Sequence, residues 1–413
     1  MNILYIEHYA GSDRYGMEFR PYYLAREWVK LGHNVTILAA DRSHLRRRNP
    51  VIQKDFTEET DAGVRFVWLK SRPYRRNDLF RVANMLGFVK KIKKNAAFIA
   101  QTYRPDVIIH SSTYPMDVYA AQAVKAHCGA PCFYEIHDLW PLSLLMLAPR
   151  VGEKNPVIRY VQKAEDACYA LDDGVVSILP GADRHIRERG YADIPFTCVP
   201  NGVVLAPPAD PVALEPTAAA ALEDLRRRGR FIVLYAGGHA RSNALDCFVQ
   251  AADLVNDAVQ LVLVGKGDQK QRLMELAAGK PNVTFLPPVA KEQIPALLAM
   301  ADCLYLGAKN HPLYEYGVGM NKIFDYMLAA KPVLNGVRSA GNPLDLSGCG
   351  LTLPPENAAA LAEGIETLRC MTPQQRAQMG QKGRDYVVAH HDYRVLARQF
   401  LQAITPVERN ETP

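Results

Sequence analysis

Glu315-Tyr-Gly-Val-Gly-Met-Asn-Lys-Ile-Phe-Asp-Tyr-Met-Leu-Ala-Ala-Lys-Pro-Val333 reads as a glycine loop, a helix of about three turns, and a Lys331-Pro332 lead into a strand. Gly317 and Gly319 let backbone approach a ligand with no Cβ in the way. A helix start offers unpaired N–H groups and a positive dipole end, which suit a phosphate. Asn321 and Lys322 fall in the expected first turn, where a donor and a full charge reinforce that site. Asp325 lies one turn on, placed to accept from a pair of sugar hydroxyls. Met320, Ile323, Phe324, Met327 and Leu328 form the apolar stripe that would hold the helix down. Read for chemistry, the segment suits a nucleoside diphosphate; read blandly, it is a surface helix with a solvated lysine and aspartate.

The chain has 413 residues, too many for one compact core, so two domains are expected. Hydrophobic content of 48% with 22% charged residues is that of a water-soluble globular protein. No apolar run reaches the length that spans a bilayer. Met1-Asn-Ile-Leu-Tyr-Ile-Glu-His8 lacks a basic lead and continues as a strand, which argues against a signal peptide. Eight scattered cysteines with no CxxC pair argue against structural zinc and for a reducing, cytoplasmic setting. Charge is uneven: residues 1–110 carry a net +9 while the whole chain carries +6. The excess sits at Arg42–Arg48, Arg72–Arg76 and Lys90-Lys-Ile-Lys-Lys94, a pattern that suits a polyanionic partner.

Short apolar strands alternate with helical patterns. The first series is expected at 3–6, 35–38, 64–69, 107–109, 132–136 and 175–178, with helices over 17–31 and 82–102 between some of them. Ala206-Pro-Pro-Ala-Asp-Pro211 breaks the rhythm. A second series follows at 231–235, 261–264, 283–286, 303–306 and 332–334. The expected architecture is α/β: two Rossmann-like, doubly wound parallel-sheet domains with a cleft between them. The boundaries are read as 1–204, 205–385, and a closing helix at 386–413 that packs back on the first domain.

Several loops carry chemistry. Gly11-Ser-Asp-Arg-Tyr-Gly16 follows the first strand without the G-x-G-x-x-G spacing of a nicotinamide site; Asp41 is the one acid at the end of the second. Leu263-Val-Gly-Lys-Gly-Asp268 is another strand-to-glycine transition, and Val199-Pro-Asn-Gly-Val203 precedes the junction. Together with Leu31-Gly-His-Asn-Val-Thr-Ile37, Glu135-Ile-His-Asp138 and the 315–333 helix, their order resembles the GT-B glycosyltransferases of family four, over nearly the whole chain. Gly16-Met-Glu-Phe-Arg-Pro-Tyr-Tyr-Leu24, His137-Asp-Leu-Trp-Pro141 and Gly319-Met-Asn-Lys-Ile-Phe-Asp-Tyr326 look most like its bacterial O-antigen and capsule sub-group, including N-acetylfucosaminyltransferase-like enzymes.

That resemblance implies a retaining, metal-independent sugar transfer from a UDP-sugar, with no cofactor. It implies donor contacts at Gly16, Arg241, Gly265, Glu315, Gly317, Asn321, Lys322 and Asp325, and a catalytic His137 beside the reacting carbon. The departures are specific. Where the family has arginine and lysine after the first strand of the second domain, this chain has Gly238 and Asn243, leaving Arg241 as the nearby cation. Of the family's Glu-x7-Glu pair only the second acid survives, as Asp325 opposite Gly317. The chain contains no Asp-x-Asp, so cations would stabilise the leaving diphosphate.

The acceptor side is assigned to Arg20, Trp140, Lys90, Lys91, Lys93 and Lys94. Val82, Met85, Leu86, Val89, Ile92, Ala96 and Ile99 make a stripe that either lies on an anionic membrane or faces the core. Trp140–Leu147 has the same two readings, lipid tail or core. The expected partners are the donor, a polyprenyl-diphosphate-linked saccharide and the inner face of the cell membrane, with no nucleic acid. A nucleotide-sugar epimerase on the same fold and a non-catalytic partner in a polysaccharide assembly complex remain the alternatives.

Overall fold

The computed structural model describes residues 1–17, 19–74, 79–147, 152–205 and 212–405. Glu18, Arg75, Arg76, the expected junction at 206–211 and the tail from 406 lie outside the described residues. The chain divides into two compact units, residues 1–201 with 393–413, and residues 202–392.

The first unit holds β1 (Asn2–Ile6), β2 (Asn34–Ala40), β3 (Thr57–Asp61), β4 (Val64–Leu69), β5 (Val107–His110), β6 (Cys132–Ile136), β7 (Gly174–Ser177) and β8 (Phe196–Cys198). They form one sheet in the order β3-β4-β2-β1-β5-β6-β7-β8. All neighbours are parallel except β3 and β4. β3 was not expected because Thr57-Glu-Glu-Thr-Asp61 is polar, which an edge strand tolerates. β8 has only three half-buried residues and carries little pattern.

The apolar strands are buried on both faces, and each face has its own core. One core is completed by the last helix, Tyr393–Ile404, whose Leu396, Phe400 and Ile404 are buried there with Trp28. The Trp28 indole donates to the Ala397 carbonyl over 2.9 Å. The chain returns to this unit at Tyr393 and not at 386, because residues 386–390 are the end of the helix Pro373–His390 in the second unit. There His391, just past the helix end, is buried with its ring 4.7 Å from that of Phe324.

The second unit holds β9 (Phe231–Ala236), β10 (Val259–Val264), β11 (Val283–Leu286), β12 (Cys303–Gly307), β13 (Val333–Gly336) and β14 (Gly350–Thr352). Its order, β11-β10-β9-β12-β13-β14, is that of a doubly wound nucleotide-binding sheet, parallel throughout. Strand order reverses between β1 and β5 in one unit and between β9 and β12 in the other. Ligands of such sheets bind beyond the carboxyl ends of the strands at these switch points.

Candidate functional site

In the second unit, the helix expected over three turns runs only from Lys322 to Leu328, seven residues. Residues Pro312–Tyr316 form a 3-10 turn, and Gly317 breaks it with φ of 129°, a conformation open to glycine. Asn321 is thus the residue before the helix, and its side chain makes no capping bond. A helix this short contributes little dipole, so the charge of Lys322 matters more. Ile323, Phe324, Tyr326 and Met327 anchor it in the core. Buried Tyr326 joins it to the end of β9, accepting from Ala236 N at 2.9 Å and donating to Ala236 O at 3.2 Å.

That anchoring fixes Lys322. Its Nζ donates to Tyr235 Oη and to Asn243 Oδ1, both at 2.9 Å, and stands 4.8 Å from the Tyr235 ring centre. No described carboxylate lies within ion-pair distance, and burial alone pulls the ammonium down to about 8. Asn243, standing where lysine was expected, accepts from Lys322 and donates to Gly238 O at 2.8 Å. Arg241 is exposed in the 3-10 turn Arg241–Asn243. Glu315 is exposed, and Asp325 is half-buried with its carboxyl raised by burial. Gly265 has φ of 151°, and a Cβ there would meet Gly237 O at 1.9 Å.

In the first unit, Gly16 has φ of 93° and closes its loop by donating to Ser12 O at 2.7 Å. Asp41 is not a ribose acid in this arrangement: it accepts from Ser71 N at 2.7 Å and Ser71 Oγ at 2.8 Å, tying β2 to the end of β4. His137 follows β6, and its Nε2 lies 2.8 Å from Ser111 Oγ and 3.3 Å from Glu135 Oε2. Glu135 is fully buried and also accepts from Tyr5 and Ser111 hydroxyls. Burial pushes its carboxyl up, but Arg20, then His137, outweigh that and hold it below the usual carboxylate range.

Arg20 departs from its expected role. It is 1% exposed and its nitrogens are taken up within the unit, so none is left for a membrane or an outside acceptor. Its Nε donates to Glu135 at 2.8 Å, and its other nitrogens to Val199 O at 2.7 Å and Pro200 O at 2.6 Å. The Val199 and Pro200 carbonyls of the Val-Pro-Asn-Gly stretch are therefore acceptors for a buried guanidinium. Trp140 and Leu144 pack against the core. The lysine helix also differs from expectation. It breaks at Asn95 into Leu79–Lys94 and Ala96–Tyr103, and Met85, Val89, Ile92, Ala96 and Ile99 face the core. Phe80, Val82 and Leu86 remain exposed, at 50%, 42% and 38%. Lys91 pairs with Asp55 at 2.7 Å, whereas Lys90, Lys93 and Lys94 face solvent.

Among the described residues one cluster has metal-ligand chemistry: His110, Cys132 and Asp172 bring one ligand atom each within 4.8 Å of one another. His110 is already held between Asp117 at 2.9 Å and Asp172 at 2.7 Å. Burial lowers its affinity for a proton, yet Asp172 and Asp117 raise it to about 10. An imidazolium clasped by two carboxylates accounts for the cluster. Tyr235, Ser111 and the structural partner role of Glu135 were missed in the sequence, since each sits in an apolar strand or at its end with no spacing signal.

Residues 15–202 match the family described as Glycosyl transferase 4-like domain, and residues 230–370 match Glycosyl transferases group 1. Over 75 residues the chain is 36% identical to WcaI of Escherichia coli (strain K12), provisionally described as a colanic acid biosynthesis glycosyl transferase. That match spans 17% of this chain and 18% of WcaI. Sucrose-phosphate synthase from Thermosynechococcus elongatus shares the fold with a TM-score of 0.70 at 18% identity, over 97% of this chain and 98% of that one. Anabaena HepE in complex with UDP-glucose does so with a TM-score of 0.63 at 15% identity, over 97% and 99%.

Proposed function

Built of a glycosyl transferase 4-like domain and a group 1 glycosyl transferase domain, the chain is a glycosyltransferase of GT-B fold, and we propose that its donor is a UDP-sugar. The observation that carries this reading is Lys322, a largely desolvated, half-buried ammonium without a described carboxylate partner, aimed by Tyr235 and Asn243 at the β9–β12 switch point. An isolated buried cation is unfavourable unless an anion completes it. A diphosphate supplies that anion, and HepE, of the same fold, is seen with UDP-glucose. Gly237, Gly265 and Gly317 keep side chains away from the backbone there. Asp325 is the acid for the ribose hydroxyls, and exposed Arg241 is free to close over the phosphates.

Sugar transfer needs charge stabilised on the departing diphosphate. Lys322 and Arg241 provide it from this chain's own residues, without a metal. His137, oriented by Ser111 and Glu135, is the catalytic residue of the first unit. Transfer proceeds with retention, the leaving phosphate taking the acceptor proton. The acceptor is a lipid-linked saccharide of a surface polysaccharide, and the sugar an N-acetylated deoxyaminosugar. WcaI, similar over a short stretch, supports the polysaccharide setting. The exposed lysines 90, 93 and 94 beside Phe80 and Leu86 support docking on an anionic membrane.

Calorimetric titration with UDP, GDP and NAD in the presence of EDTA tests the donor. Saturable binding of UDP alone is expected. GDP binding instead changes the base, and no nucleotide binding leaves the non-catalytic partner as the reading.

A further inference from the structure

His239, just after β9, is fully buried, yet neither of its ring nitrogens has a hydrogen-bond partner. Unpaired polar atoms at such depth are rare and costly, and they commonly mark an absent ligand or water. The surroundings decide which ligand fits. Two lysines act on the ring electrostatically, Lys270 more strongly than Lys322, and no described acid pairs with either. Lys270 is occupied only by neutral oxygens, Gly265 O at 3.0 Å and Leu286 O at 3.3 Å. Tyr235 and Phe285 line the ring at 6.1 and 6.2 Å between centres.

The loops around it keep bulk away. A Cβ on Gly265 would stand 3.3 Å from His239 Nε2, and one on Gly237 would stand 3.3 Å from Lys322 Nζ. The backbone holds the ring in place: His239 N donates to Lys266 O at 2.9 Å, and His239 O accepts from Gln269 N at 3.0 Å. Gly238, Lys266 and Gly267, which adjoin the ring in the chain or across these bonds, are exposed, so solvent begins one layer away.

We propose that His239 is a diphosphate contact, donating a ring N–H to a phosphate oxygen held by Lys322, and that it takes over at the position next to Gly238 the role arginine was expected to fill. This rests on the UDP-sugar reading above. Burial, then Lys270 and Lys322, lower the ring's pKa to about 4, so at neutral pH the free ring is uncharged, one nitrogen carries a proton to donate, and no charge is stranded before the anion arrives. The contact is a hydrogen bond to a charged group, the kind whose loss weakens binding by roughly tenfold or more.

The test compares UDP with uridine by calorimetry on the wild-type protein and on His239→Leu and His239→Gln, with melting curves for each. Expected are a UDP Kd about tenfold weaker in His239→Leu, unchanged uridine affinity, and partial recovery in His239→Gln, which keeps a donor. Unchanged UDP affinity in a folded His239→Leu overturns the contact, the nitrogens then being met by a buried water. Equal loss of UDP and uridine overturns it too, since the ring would only shape the pocket. If His239→Leu fails to fold, His239→Gln decides: weaker UDP binding with unchanged uridine affinity supports the contact, and an equal loss of UDP and uridine affinity overturns it. Failure of the wild type to bind UDP is a separate result and removes the donor reading itself.

Discussion

Lys322 Nζ and Asn243 Oδ1 lie 2.9 Å apart, so the position where a lysine was expected holds the acceptor that orients a lysine from elsewhere in the sequence. Because Asn243 is neutral, it directs the ammonium without neutralising it. Asn243→Asp would place a carboxylate at the same spot and satisfy the cation internally. The expected outcome is a UDP affinity at least tenfold weaker, with a melting temperature equal to or above wild type, read by titration and calorimetry. An unchanged UDP affinity would show that the ammonium is not the phosphate contact.

Lys322 also gives a pH signature. Burial lowers it from 10.5 to about 8, so the folded chain releases this proton earlier than the unfolded chain. Between those values the unfolded state binds more protons, and this group makes stability rise with pH; below 8 its full destabilisation is present. A shift of that size corresponds to about 3 kcal/mol at neutral pH. Lys322→Met is therefore expected to raise the melting temperature of the free protein while abolishing UDP binding. Wild-type UDP affinity should be flat near pH 7 and fall above 8. A destabilised Lys322→Met would mean the lysine is structural.

Arg20 and Glu135 are the opposite case, a buried pair whose charges satisfy each other at 2.8 Å. Arg20→Met leaves Glu135 buried without its cation and frees the carbonyls of Val199 and Pro200. Breaking one side of such a pair costs roughly 3–5 kcal/mol, to be read as a lower urea midpoint. Since Glu135 titrates below its unfolded value, its share of stability is present above about pH 4.5 and is lost as pH falls through the folded value. Arg20→Met should flatten that acid dependence. A change in acceptor affinity with normal stability would restore Arg20 to the acceptor side.

The strands were legible because parallel strands covered on both faces are continuous apolar runs, as in Cys132–Ile136 and Phe231–Ala236. Thr57–Asp61 was not, because an edge strand needs no such run. Glycine loops marked the strand ends, and the structure puts Lys322 beside one of them, its Nζ 3.3 Å from where a Cβ on Gly237 would stand. Its partners were not legible: Tyr235 is buried within a strand that looks uniformly apolar, and Asn243 looked only like a missing lysine. Arg20 was misassigned for a physical reason. A lone arginine in an amphipathic helix reads as solvated unless its acid is known, and Glu135 lies far away in sequence. For the lysine stripe the core reading held for Met85, Val89, Ile92, Ala96 and Ile99, a choice periodicity could not make because it shows that one face is apolar without showing what covers it.

The exposed remainder of that helix supports a membrane prediction narrower than the stripe itself. Lys90, Lys93 and Lys94 face solvent, while Lys91 is engaged by Asp55 and the Lys70 carbonyl. Each lysine near an anionic surface contributes about 1 kcal/mol, so reversing these three solvent-facing lysines, of which Lys93 also lies 5.8 Å over the Tyr119 ring, to glutamate should weaken vesicle binding by at least a hundredfold. Lys91→Glu would break an ion pair inside the unit and is the wrong variant, because lost binding would then report lost structure. Phe80 and Leu86 can insert only shallowly, so binding should depend on charge first. Cosedimentation with phosphatidylserine-containing vesicles at low and high salt checks this. Equal binding to neutral and anionic vesicles, or no effect of the triple reversal, would leave these lysines as ordinary solvated charges and remove the membrane from the acceptor side.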